Sequence, residues 1–228
     1  TIELAEYFAQ NSRDRYFVSM PDTSGNLDAL SNMRGSNNLL LDLYDDREWV
    51  KKSLEIIQKV SCDTMEKVYD IVSPVNEGGS CIGWLNTWAE GKHSQMQCDF
   101  SVMISPADFE ELAVPELQEQ VSWMNRSLYH FDGIEQLRHL DNLLEIKELD
   151  AIQWTCVAGQ PSPTEYIHQL RKIQKAGKKL VIPCYDNYKD IEILLQNLSS
   201  KGLMILATAT SQDTAEEIVK LAQRYSHE

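Results

Sequence analysis

The chain has 228 residues, of which 35 are acidic and 21 are lysine or arginine, so its formal net charge at pH 7 is −14. This excess of negative charge repels phosphate backbones and anionic lipid headgroups, which excludes nucleic acid and membrane surfaces as expected partners. No apolar run approaches the roughly 20 residues of a membrane span. The opening segment "TIELAEYFAQ" also lacks the basic region of a secretory signal.

The cysteines indicate a reducing compartment. They are odd in number, widely spaced and form no CxxC pair. This usage is typical of free thiols in a cytoplasmic protein, where buried cysteine packs as a small apolar residue. The expected partner is a small-molecule substrate, and a homodimer is left open. The five residues are Cys62, Cys81, Cys98, Cys156 and Cys184.

Apolar runs alternate with helical patterns along the first half of the chain. The segment "RYFVSMPD" predicts a strand, and residues 39–72 predict one long helix. "SCIGWLNTWAEG" and "MQCDFSVMIS" predict extended segments. A further helix is expected over "SPADFEELAVPELQEQVSWMNR", with Ser105 as its N-cap and Pro106 at its first position.

Four regular strand–helix units follow Arg126. Their strands are "SLYHFD", "LDAIQWTC", "KKLVIPC" and "GLMILATA", each followed by a helical pattern. Strands that are nearly all apolar and alternate with helices predict a parallel sheet covered by helices. We therefore expect one α/β domain over residues 1–228. The pattern fits either part of a (β/α) barrel or a doubly wound sheet.

Polar residues stand where the strands end, which is where parallel α/β folds place their sites. His130 and Asp132 share one face of their strand, because residues i and i+2 point to the same side. A carboxylate beside an imidazole is a plausible acid/base or substrate-orienting unit. With Asp99, which ends another strand, they form the predicted catalytic group. The alternative is that both side chains only satisfy backbone groups of the loop.

Aromatic and amide residues near the strand ends are candidates for substrate binding. Trp84 and Trp88 lie in "GWLNTWAEGKH", and Gln153 and Trp154 end another strand. Tryptophan rings can stack on a flat or sugar-like ligand. The competing interpretation is an aromatic lid or ordinary core packing.

The sequence favours a site without a metal or cofactor. It contains no P-loop, no GxGxxG and no GxSxG motif. His130 and Asp132 could provide two metal ligands, with Cys156 or Cys184 as a third, but no other ligand pair has a useful spacing and the last strand segment, "LMILATATS", offers only hydroxyls. A zinc site normally has at least three protein ligands, so we expect no tightly held zinc.

Several of these segments, in their order along the chain, resemble the uroporphyrinogen decarboxylase superfamily. They are "YFVSMPDTSGNLDALSNMRGS", "DFSVMISPADFEELAVPELQEQ", "SLYHFDG" and "LDAIQWTC". The resemblance covers nearly the whole chain and implies a TIM (β/α) barrel. The match begins at the third strand of the family, so it implies that the chain corresponds to the C-terminal two-thirds of the family barrel, either as part of a longer protein or as a shortened relative.

The resemblance implies decarboxylase-type (carboxy-lyase) chemistry on a small or tetrapyrrole-like carboxylate. The arginines and aspartate with which the family's N-terminal segment holds a polycarboxylate have no counterpart here. A first alternative is a corrinoid-dependent methyltransferase, which would use zinc and a corrinoid protein partner. In that comparison His130 matches the zinc-binding histidine, whereas Asp132 stands in place of a cysteine. A second alternative is a non-catalytic binding relative.

Overall fold

The computed structural model describes residues 1–12, 14–185 and 188–227. Within these ranges, none of the helices combines the length and the apolar character needed to cross a membrane. The α-helices are α1 Ile2–Ser12, α2 Asn26–Arg34, α3 Ser36–Asp45, α4 Arg47–Val72, α5 Pro106–Leu112, α6 Val114–Trp123, α7 Leu140–Glu145, α8 Ile167–Lys175, α9 Asp190–Asn197 and α10 Gln212–Tyr225.

The strands form two sheets. Strands β1 and β2 make an antiparallel hairpin, and β3 to β7 make a parallel sheet in the order β3-β4-β5-β6-β7. The expected α/β fold with a parallel sheet and helical crossovers is therefore confirmed. The strands are β1 Gly79–Ile82, β2 Thr87–Glu90, β3 His93–Gln97, β4 Arg126–Asp132, β5 Ala151–Thr155, β6 Lys179–Cys184 and β7 Leu203–Ala207.

The two faces of the parallel sheet have different partners. One face packs against the helices and carries fully buried side chains such as Tyr129, Phe131 and Ile152. On the other face, Leu128 and Val181 pack against Leu85 and other residues of the β1–β2 hairpin. Alternation along each strand separates these two sets, so adjacent residues of a strand face opposite sides of the sheet.

The segment "RYFVSMPD" does not form a strand, which corrects the first sequence-based prediction. Residues 17–22 have no regular secondary structure and lie beside β1, where Val18 and Met20 are buried and the backbone forms separate hydrogen bonds but no ladder. Met20 N–H donates to the carbonyl of Cys81 at 2.9 Å, and Val18 N–H donates to the side chain of Asn76 at 2.8 Å. An apolar extended run becomes a strand only where a neighbour continues the backbone ladder.

Two predicted helices are each divided in the structure. The helix expected over residues 39–72 breaks at Asp46, whose carboxylate accepts from Trp49 N–H and caps α4. The helix that begins after Ser105 divides between α5 and α6. Pro115 explains this break, because it has no N–H and its ring crowds the carbonyl of Glu111, four residues earlier. The predicted N-cap Ser105 is confirmed, since it accepts from Asp108 N–H at 3.1 Å.

The strand predicted over "MQCDFSVMIS" ends at Gln97 and turns into a 3₁₀ helix, Asp99–Met103. The cause is Asp28 on α2. Its carboxylate accepts from the N–H groups of Asp99 and Phe100, at 3.1 and 2.7 Å. These bonds take up backbone groups that a longer strand would have used in the ladder, and they fix the direction in which the Asp99 side chain leaves the sheet.

Candidate functional site

Three predicted catalytic side chains meet at the carboxyl edge of the parallel sheet. Asp99 follows β3, and His130 and Asp132 end β4, all on the sheet face opposite the main helical core. One nitrogen of His130 and one oxygen from each aspartate lie within 4.8 Å of one another. The His130 Nε2 to Asp132 Oδ1 distance is 3.8 Å. The sequence placed these residues on a common edge, and the structure brings their side chains together.

The imidazole of His130 is held from two sides. Its Nδ1 meets the side-chain oxygen of Gln153, which lies directly opposite on β5. The amide nitrogen of Gln153 donates in turn to Thr155 Oγ1. The ring of Trp84 stands edge-on to the imidazole, with the centroids 5.2 Å apart. Since Nδ1 faces an acceptor, it carries the proton in the neutral ring, and Nε2 points toward the carboxylates with a free lone pair.

A chain of amide hydrogen bonds connects Trp84 to Asp99. Trp84 Nε1 donates to the side-chain oxygen of Gln95, and Gln95 Nε2 donates to Gln97 Oε1 at 3.1 Å. Gln97 Nε2 then donates to Asp99 Oδ2 at 3.0 Å. This chain follows one face of β3 and fixes the carboxyl group of Asp99 beside His130.

The electrostatic environment of Asp99 is unfavourable to its charged form. Burial and the negative charge of Asp28 raise the pKa of Asp99 from 3.8 to about 6, although the neighbouring His130 and the Gln97 hydrogen bond act in the opposite direction. Oδ1 of Asp99 is buried and accepts no hydrogen bond from the described residues. Asp99 can therefore change its protonation state near neutral pH, which suits a proton donor or acceptor.

A close approach of two backbones brings Asp28 to the site. A Cβ atom on Gly25 would lie 2.1 Å from the carbonyl oxygen of Gln97, so only glycine fits where α2 begins. Gly25 N–H also donates to the Asp28 carboxylate at 3.0 Å. Asp28 thus accepts three backbone N–H groups and ties the start of α2 to the end of β3.

The cluster is partly accessible to solvent. The His130 and Asp132 side chains retain 15% and 32% of their exposure, and Trp84 is 44% exposed. The hairpin residues Ile82 and Leu85 are buried against the same face of the sheet. A small ligand could therefore contact the cluster from the open side.

The other two predicted tryptophans lie elsewhere. Trp154 does not line the site with Gln153, which corrects that prediction. It is 1% exposed on the helix-facing side and stacks on Phe131, because neighbouring residues of a strand face opposite ways. Trp88 lies on β2 near Phe17, where its Nε1 donates to the carbonyl of Asn76 at 3.0 Å. The structure does not bring it to His130.

Sequence reasoning missed four residues that shape the site, namely Gln95, Gln97, Thr155 and Asp28. The first two could have been found, since "QMQCD" places polar residues at every second position of an otherwise buried strand. Thr155 likewise follows Gln153 by two positions. No local signal marks Asp28, which acts on a backbone far away in sequence.

Asp99 is a candidate metal ligand in addition to His130 and Asp132. The sequence offered His130 and Asp132 as two ligands, with Cys156 or Cys184 as the candidate third, and no ligand on the last strand. The structure instead supplies a third candidate ligand from the end of β3. One imidazole and two carboxylates can hold a divalent cation.

A groove of about 670 Å³ lies between α4 and α5–α6, away from this cluster. Its rim includes the ion pairs Lys51–Glu111 and Lys59–Asp63. Such exposed pairs are ordinary features of a helix surface, so we place the candidate site at the cluster.

Comparisons of the chain with models of known families, with curated proteins and with solved structures found no match. The fold and the site define an α/β protein with a partly exposed Asp–His–Asp cluster at the carboxyl edge of a parallel sheet.

Proposed function

We propose that the chain is a decarboxylase-type enzyme related to the uroporphyrinogen decarboxylase superfamily, with its reaction centre at Asp99, His130 and Asp132. The observation that carries the proposal is the meeting of these three groups beside the exposed ring of Trp84. The strand order also supports it, since each parallel strand lies beside its predecessor, as in a (β/α) barrel.

The reaction needs a proton donor close to the substrate carbon. As the bond to the carboxylate breaks, its electron pair stays on the substrate carbon, CO₂ leaves, and a proton adds at that carbon. Asp99, or His130 when both of its ring nitrogens are protonated, would deliver this proton, and Asp132 with Gln153 would keep the imidazole oriented. Trp84 offers a ring face or edge to the body of the substrate.

The charges of the site favour a small substrate over a tetrapyrrole with many carboxylates. Within the described part of the chain, Asp99 and Asp132 form no ion pair with lysine or arginine. Binding several carboxylates at once would require cations in the pocket. We therefore propose a substrate with one carboxylate and few other charges.

No specific observation favours the methyltransferase alternative with its zinc-bound thiol. Cys98 and Cys184 are buried in the core on the helix-facing side, so neither joins the described cluster. The non-catalytic alternative would fit a site filled by side chains, whereas Asp132 and Trp84 remain accessible to solvent.

A substrate screen tests the proposal. Small carboxylic acids labelled with ¹³C at the carboxyl carbon would be incubated with the protein, and labelled CO₂ would be measured. We expect release that falls at least about a hundredfold in His130→Ala, in line with general acid–base catalysis. His168→Ala, which removes an exposed histidine from α8, serves as the matched control. Release that is unchanged in His130→Ala, or no release from any acid tested, would contradict the proposal.

A further inference from the structure

We propose that Asp99, His130 and Asp132 together bind one divalent metal ion of the Mn²⁺ type. The three residues come from the ends of two neighbouring parallel strands and contribute one nitrogen and two oxygen atoms. The inference departs from the sequence-based expectation of no metal, because Asp99 supplies the ligand that the last strand lacks.

The distances suit an ion after a small adjustment. Protein nitrogen and oxygen ligands lie about 2.0–2.2 Å from such an ion, so two ligand atoms on opposite sides are at most about 4.4 Å apart. The three atoms here lie within 4.8 Å of one another. Ligand atoms at adjacent coordination positions of one ion are only about 3 Å apart, so the three side chains would have to move closer together by roughly 1 Å, and the partly exposed Asp132 has room to move.

His130 is oriented as metal-binding histidines are. Its Nδ1 is engaged by Gln153, which leaves Nε2 as the ligand atom on the side of the carboxylates. A second partner of this kind fixes the ring and the position of its proton in most metal-binding histidines. Thr155 holds the amide of Gln153 in turn, so the acceptor that orients the imidazole is itself fixed.

An unsatisfied atom points independently to a ligand. Oδ1 of Asp99 is inaccessible to solvent and accepts no hydrogen bond from the described residues, while Oδ2 is held by Gln97. A buried carboxylate oxygen without a donor is unfavourable. A cation in contact with Oδ1 would remove this cost and would also offset the repulsion among Asp99, Asp132 and the nearby Asp28.

The ligand set selects the class of ion. Two carboxylates with one imidazole, and with coordination positions left for water or substrate, suit Mn²⁺ and similar first-row ions. The set differs from the zinc–thiolate ligands that the family resemblance implies, because it contains no sulfur. An ion here would also make an otherwise acidic site attractive to an anionic substrate.

The role of the ion rests on the proposed function. For a carboxylate with a carbonyl at its β-carbon, the ion would bind the carbonyl oxygen. When the bond to the carboxylate breaks, its electron pair moves onto that oxygen as an enolate and CO₂ leaves. The carbon then takes a proton from water, because Asp99 and His130 would serve as ligands in this arrangement, and the carbonyl re-forms.

Metal binding can be measured without turnover. The full chain would be treated with EDTA, dialysed and titrated with Mn²⁺, with free Mn²⁺ followed by its electron paramagnetic resonance signal. We expect one ion per chain, and affinity losses of about tenfold or more in Asp99→Asn and His130→Ala. Asp70→Asn, which removes an exposed aspartate of α4, and His168→Ala are the matched controls and should bind as the wild type does.

Thermal unfolding distinguishes a loss of metal binding from misfolding of a variant. Circular dichroism would first show that each variant is folded, and the same concentration of Mn²⁺ should then raise the Tm of the wild type and the controls by more than that of Asp99→Asn. Asp132→Asn provides a second ligand variant if Asp99→Asn does not fold. Absence of Mn²⁺ binding in the wild type, or wild-type affinity in the folded ligand variants, would overturn the inference.

The two proposals fail in different ways. Decarboxylation that persists in EDTA-treated protein, without measurable Mn²⁺ binding, would reject the metal site and retain the function. One bound Mn²⁺ that depends on Asp99 and His130, without decarboxylation of any acid tested, would support the metal site and reject the function.

Discussion

The side-chain oxygen of Gln153 meets Nδ1 of His130 across the β4–β5 pair, and this contact turns Nε2 of the imidazole toward Asp132. The two residues lie directly opposite each other in the strand register. Gln153 is therefore a positioning residue, because it acts on the reaction centre through the orientation and the proton of His130.

Replacing Gln153 should change the tautomer of His130. In the wild type we expect the neutral ring to carry its proton on Nδ1, because that atom faces an acceptor. In Gln153→Leu the preference should be lost, which the ¹⁵N chemical shifts of the imidazole would report. Gln118→Leu, on the exposed side of α6, is the control. An unchanged His130 tautomer in Gln153→Leu would show that Gln153 does not set it.

Asp99→Asn should stabilise the metal-free protein at pH 7.5 but not at pH 4. The pKa of Asp99 is raised from 3.8 to about 6 in the folded state, so the folded state holds this proton more tightly than the unfolded state. Stability therefore falls as the pH rises through this interval. Asparagine does not titrate, and we expect a gain of about 1 kcal/mol at pH 7.5, discounted for partial exposure.

Urea unfolding in EDTA at both pH values would measure this effect, with Asp70→Asn as the control. If Asp99→Asn gave the same change in unfolding free energy at pH 4 and pH 7.5, ionisation of Asp99 would not be the cause of the lower stability at pH 7.5.

Asp28→Asn should destabilise the fold by about 2–3 kcal/mol, because the carboxylate of Asp28 accepts from three backbone N–H groups. An amide has one oxygen instead of two, and its NH₂ group would face donors. The pKa of Asp99 should also fall, since the charge of Asp28 helps to raise it. Chemical unfolding would measure the first effect and carboxyl ¹³C titration the second. If the titration of Asp99 were unchanged in Asp28→Asn, the charge of Asp28 would not be a cause of the raised pKa of Asp99.

Glu116→Gln should protect the protein against alkaline loss of stability. Glu116 on α6 is 6% exposed, and burial raises its pKa from 4.5 to about 8. The folded state keeps this proton up to about pH 8, whereas the unfolded state releases it near 4.5, so stability is lost between these values. Glutamine carries no such proton. Relative to the wild type, the free energy of unfolding of Glu116→Gln should therefore increase by at least about 1 kcal/mol when the pH is raised from 5 to 9.

Thermal or urea unfolding at pH 5 and pH 9 would provide the values for Glu116→Gln. Glu119→Gln, an exposed position on the same helix, should show no such gain. If the unfolding free energies of the two variants depended on pH in the same way, burial would not shift the titration of Glu116.

The sequence by itself determined the features that depend on local geometry. The alternation of apolar strands and helices after Arg126 predicted the parallel sheet, and Ser105 with Pro106 predicted the start of α5. The common face of His130 and Asp132 followed from the period of two along a strand. The same period speaks against placing Gln153 and Trp154 in one pocket, and the structure separates them.

Only the tertiary structure decided the features that join distant segments. The extended run "RYFVSMPD" found no strand to continue its ladder, which no property of the run itself reveals. The approach of Gly25 to Gln97, and the bonds from Asp28 that turn the chain at Asp99, depend on how α2 packs against β3. Register between β4 and β5 placed Gln153 opposite His130. Periodicity specifies which face a side chain takes, whereas packing and register specify which distant side chains share that face.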